Sequence, residues 1–203
     1  MIEEQSLPAL SPAALAEVVR VATGYPRLTL SSWRTMALHH AHEATAGVYR
    51  IAGDGDANGE SVPWSVVLKV VHTPPGSETL REVAAYRSGL LSDLPGIRAP
   101  RCYHIEERGG GAIGLWLEDI ATPGDWPLTH FGLAARHFGR FNGAYLVDRP
   151  LPGAPWMNRD LLRTVVAQRQ ATMVARIQQA ETWAHPLARQ MFPAPIASRL
   201  LRL

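Results

Sequence analysis

The chain has one cysteine, Cys102, in 203 residues. That count excludes an internal disulfide framework and leads to the expectation of a reducing, cytoplasmic setting. Long apolar runs are missing as well. The longest, around Val66 to Val71, is interrupted by Lys69 and falls far short of a membrane span. The start, Met1-Ile2-Glu3-Glu4, is acidic and has no apolar signal-peptide core, so secretion by that route is not expected. Charge is sparse and balanced, with 20 basic and 18 acidic residues and a net charge of +2. No Lys/Arg block appears, so nucleic acid and membrane surfaces are not expected partners, although the sequence pI is near 9.0. What remains is a chain with 46% hydrophobic and 19% charged residues, which excludes disorder and fibrous structure. Its length fits one large domain or two small ones with a sizeable core.

Lysine is the rarest charged residue. Of the 20 basic residues 19 are arginine, and the exception is Lys69 in Ser65-Val-Val-Leu-Lys-Val-Val71. An interior strand is a costly place for a cation that could have been arginine anywhere else. A site needing a compact ammonium would not accept the bulkier, forked guanidinium. Snorkelling from a strand edge is the plainer alternative. Position and rarity coincide here, and they point to function.

The chain reads as strands first and helices after. Ser11-Pro12 starts a helix with Leu15, Val18 and Val19 on one side, ended by Gly24-Tyr25-Pro26. Residues 28 to 119 are mostly strand-like. Residues 46 to 52 alternate and run into a turn-forming loop, Gly53-Asp-Gly-Asp-Ala-Asn-Gly59. In the next strand Trp64, Val66, Leu68 and Val70 face one way, and Ser65, Val67, Lys69 and Val71 the other. Both faces are largely apolar, as in an interior strand. Ser77 caps a helix through Leu91, and residues 101 to 119 form a hairpin with Ile113, Leu115 and Leu117 on one face. Helices are expected over 128 to 146, with Phe131, Ala135, Phe138 and Tyr145 at helical spacing, over 158 to 183, and around 196 to 203. The arrangement is α+β with a boundary near residue 120.

The ordered set Val66-Val-Leu-Lys69, Arg81-Glu-Val-Ala-Ala-Tyr86 and Leu115-Trp-Leu-Glu-Asp-Ile120 resembles the kinase-like small-molecule phosphotransferases, the family of aminoglycoside phosphotransferases and choline kinases. The resemblance spans about residues 28 to 146. It implies a protein-kinase-like fold: a nucleotide-binding N-terminal lobe over 1–119, an antiparallel sheet with one helix bearing Glu82, then a hinge and the first helices of a C-terminal lobe over 120–203. It implies an ATP-dependent kinase acting on a hydroxyl of a small-molecule acceptor. Lys69 would contact the ATP phosphates, which a compact cation on an interior strand suits. Glu82 would orient it; Ala85 and Tyr86 at i+3 and i+4 offer Glu82 no cation on its own helix. Leu117, Glu118, Asp119 and Ile120 would hold adenine by their backbone. The phosphate-covering loop would lie at about Leu38 to Gly47, where Gly47 is the single glycine.

Two look-alikes fall away. Asp54-Gly-Asp56-Ala-Asn58-Gly59 opens like a calcium loop, but its twelfth position is Ser65 instead of glutamate, so a hairpin turn fits better. Asn158-Arg-Asp160-Leu161 mimics a kinase catalytic loop, yet lacks the histidine and has Val165 where a metal-binding asparagine belongs. His39, His40 and His42 lack further ligands at metal spacing.

In the family, a His-x-Asp…Asn loop and a metal-binding aspartate follow the first helices. Past Asp148 the acids here are Asp160 and Glu181, in no such pattern. The expectation is therefore a chain truncated before its catalytic loop and inactive as it stands, with Mg2+ bound only if the missing part is present. A non-catalytic nucleotide-binding or regulatory module on the same scaffold is the alternative.

Overall fold

The computed structural model describes residues 10–39, 45–72, 80–121, 124–147, 149–150, 153–157, 160–184, 186 and 199. The chain divides into two compact units, Met1–Trp156 and Met157–Leu203. The described residues are α+β. In the first unit α1 (Pro12–Thr23) leads into strands β1 (Thr29–His39), β2 (Thr45–Ala57) and β3 (Glu60–His72), then α2 (Arg81–Arg87), β4 (Cys102–Glu107), β5 (Ala112–Glu118) and α3 (Leu128–Val147). The strands form one antiparallel sheet in the order β1-β2-β3-β5-β4. The Lys69-bearing strand is thus the central one.

Helix α1 begins where the sequence signals it. The Ser11 side chain accepts from the Ala14 N–H, and Gly24 ends the helix in the left-handed region at φ +75°. It places Leu15, Val18 and Val19 on one face of the sheet, against Tyr49, Ile51, Trp64, Val66, Leu68 and Trp116. All of these are buried. A second core forms on the opposite face, where Val83 of α2 meets Val71, Leu115 and Leu117. The sheet is covered by one helix on each side, and the period-two alternation of β3 serves both cores at once.

The expected loop over 53 to 59 is a correction. β2 runs through Gly53-Asp-Gly-Asp-Ala57, and the turn to β3 is only Asn58-Gly59, both in the left-handed region. This is the two-residue turn whose twist matches its strands. The Asp56 side chain accepts from the Gly59 N–H at 3.2 Å, so the calcium-like acids serve the hairpin. Pairing with β1 on one side and β3 on the other overrides the poor strand propensity of Gly and Asp.

α2 is shorter than expected, ending at Arg87 and followed by a 3-10 turn at Leu90–Ser92. Ser77, its expected cap, lies outside the described residues. α3 matches its expected range, but buries none of its residues, with Phe131 and Phe138 exposed. Arg149, just past α3, forms an ion pair with Asp93 at 2.8 Å.

In the second unit the expected single helix over 158 to 183 is two: α4 (Leu161–Gln178) and α5 (Ala180–Ala184). Gln179 is extended, and the carbonyls freed by the break accept from side chains, Arg176 O from Thr182 Oγ1 and Ile177 O from Trp183 Nε1. Asp160 is the N-cap of α4, its carbonyl accepting from the Thr164 N–H at 2.8 Å, while Asn158 and Arg159 lie outside the described residues. So does nearly all of the segment expected around 196 to 203. No described helix is long and apolar enough to cross a membrane.

Candidate functional site

Antiparallel partners share a face, so the register places the site side chains. Val48 lies opposite Lys69, Arg50 opposite Val67, and Ala52 opposite Ser65. Across β3, Lys69 lies opposite Leu115, and Val67 opposite Leu117. Lys69, Val67, Ser65, Val48, Arg50, Ala52 and Leu117 therefore occupy the α2 side of the sheet. The α1 side is closed by its own core.

Lys69 and Glu82 meet. Lys69 Nζ donates to Glu82 Oε2 at 2.5 Å, joining β3 to the first turn of α2. The lysine side chain is 25% exposed and the glutamate 39%, so the pair is partly desolvated but open on one side. Val83, next to Glu82, is buried in the second core and fixes which way the helix turns.

At the far end of the same face stands a second polar cluster, which the sequence reading missed. Asp119, at the exit of β5, accepts from Ser65 Oγ at 2.5 Å and from Arg50 Nη2 at 2.9 Å. Arg50 Nε also sits 2.9 Å from Asp119 Oδ2, an ionic contact without hydrogen-bond alignment. The Asp119 side chain is 14% exposed. The available signal was that Arg50 and Ser65 alternate onto the Lys69 face.

Between the two clusters lies an apolar strip. Val48 and Val67 are half-buried, Leu117 is buried, and Met36, opposite Arg50, is exposed at its margin; Ile120, past the end of β5, is exposed too. Lys69 and Ser65 are four strand residues apart, or about 13 Å at the usual strand rise.

The remaining expected site residues fall as follows. Glu118 turns to other partners: it pairs with Arg98, accepts from the Arg101 N–H at 3.1 Å, and its own N–H donates to Arg101 O at 2.8 Å. The Arg98 guanidinium holds its carboxyl below the usual glutamate range, with the Arg101 N–H adding to the effect. Gly47 is buried in β2, where a side chain would collide with the Tyr49 ring. Packing thus accounts for glycine at that position. Residues 40–44 of the expected phosphate-covering loop lie outside the described residues, among them His40 and His42.

Glu82, Glu118 and Asp119 are each engaged by a cation, and no cluster of three or more metal-ligating residues occurs among the described residues. The described part of this face does not fit a magnesium cage.

One turn beyond Glu82, Tyr86 borders a concavity of about 540 Å3, shared with Val21, Leu91 and the Arg98–Tyr103 segment. Burial, then the Glu82 charge, push its phenol up to about 12. Because the folded state holds that proton more tightly than the unfolded chain, the stabilisation is complete below pH 10 and is lost as pH rises towards 12. Denaturation midpoints across that window should fall less steeply for Tyr86→Phe than for the wild type. Parallel curves would contradict this assignment.

No protein-family model matches the chain, nor does any curated protein or solved structure.

Proposed function

We propose that the first unit binds ATP on the Lys69 face of its sheet, as the nucleotide-holding part of a kinase-like phosphotransferase acting on a small-molecule hydroxyl. The observation that carries this reading is the Lys69–Glu82 ion pair at one end of an apolar strip. A phosphate chain needs a compact, oriented cation in a partly desolvated place, and the pair supplies one. The half-buried Val48 and Val67 offer an apolar floor that suits the face of a base. The strip length of about 13 Å is comparable with the reach from a purine to its outer phosphates. Backbone groups of residues 117 to 120 are then at the base end, and Lys69 at the phosphate end.

The order of the elements supports the same reading: a central strand bearing the lysine, a following helix bearing the glutamate, and a hairpin whose second strand pairs with the first. Calorimetric titration of the full chain with ATP tests the proposal. Saturable binding that collapses in Lys69→Ala supports it, and binding indifferent to Lys69 rejects it.

A further inference from the structure

We infer that Arg50, Ser65 and Asp119 form a positioning latch that makes this site select a base-bearing nucleotide over bare polyphosphate. The inference rests on the nucleotide reading above and assigns its base end to a physical device. Arg50 belongs to β2 and reaches across β3: its register partner is Val67, and Val67 in turn faces Leu117. Its guanidinium therefore grips the chain just past the end of β5, at Asp119. Ser65 of β3 grips the same carboxylate. One residue earlier, Glu118 is pinned elsewhere, by Arg98 and by backbone bonds with Arg101 in both directions.

Two consecutive acids thus fasten the β5 exit to four other positions of the unit. A carboxylate with three contacts from two strands is not free to ligate a base or a metal. Its work is to hold the backbone around it. A backbone edge held before the ligand arrives spares a base the ordering cost of that segment. Cutting the latch returns that cost to the binding equilibrium, about tenfold for one residue re-ordered. The phosphate end is untouched, because Lys69 is held by Glu82 and not by the latch.

The test compares two probes, ATP and inorganic tripolyphosphate, titrated into the full chain. In Asp119→Asn and Arg50→Lys, ATP affinity should fall about tenfold while tripolyphosphate affinity stays within about twofold. Ser65→Ala removes one hydrogen bond and leaves the ion pair, so it should fold and lose about threefold for ATP alone. A merely structural latch would weaken both probes together, and that result overturns the inference. So do latch variants that bind ATP like the wild type, or a wild type that binds ATP no tighter than tripolyphosphate. A wild type that binds neither probe rejects the nucleotide reading itself, and the latch role with it.

Discussion

Lys69→Ala should lower ATP affinity of the full chain about 10- to 100-fold, the worth of one strong charge-assisted phosphate contact. Lys69→Arg should restore little of it. The ammonium occupies a position between β3 and α2 where Glu82 Oε2 is 2.5 Å away, and a longer, planar fork cannot take the same place without moving the helix. Glu82→Gln separates orientation from charge. Glu82 repels phosphate, so in a site governed by net charge its neutralisation would tighten ATP binding. In a site governed by an oriented lysine, the same change loosens it. The expected result is a severalfold loss for Glu82→Gln, measured by calorimetry beside Lys69→Ala.

Leu68→Ala should cost about 3–5 kcal/mol of folding stability, read from chemical denaturation. Leu68 is fully buried at the middle of the central strand, in the core that α1 closes. Truncation there leaves a cavity between helix and sheet that neighbours such as Ile51 and Trp116 cannot fill without moving. Val67→Ala, one residue away on the opposite face, should cost only about 1 kcal/mol, because Val67 is half-buried. The contrast distinguishes the closed core under α1 from the smaller core under α2, against which Val67 is only partly packed.

Much of the fold was legible where local chemistry and tertiary demand agree. Ser11-Pro12 and Gly24 bound α1 because caps are local devices, and the alternation of β3 announces a strand with two apolar faces. The legibility ends where long-range pairing decides. Gly53 to Ala57 carries turn residues, yet it is strand because β1 and β3 lie on either side of it. The break in α4 at Gln179 has no Gly or Pro to announce it; Thr182 and Trp183 supply the missing partners from beyond it. The ion pair of Lys69 with Glu82 could be anticipated from a lone lysine and an unpartnered glutamate. That of Arg50 with Asp119 could not, since 69 positions separate them and 19 arginines compete for each acid.

The central claim is that a nucleotide lies on the α2 side of this sheet and not on the α1 side. Methyl groups report faces directly, so the decisive measurement is a methyl NMR map of the full chain with a non-hydrolysable ATP analogue. The account predicts shifts at Val48, Val67, Leu117 and Ile120, with Val18, Val66 and Leu68 unmoved. Shifts confined to the α1 core, or saturating analogue that moves no methyl on the Lys69 face, would contradict it.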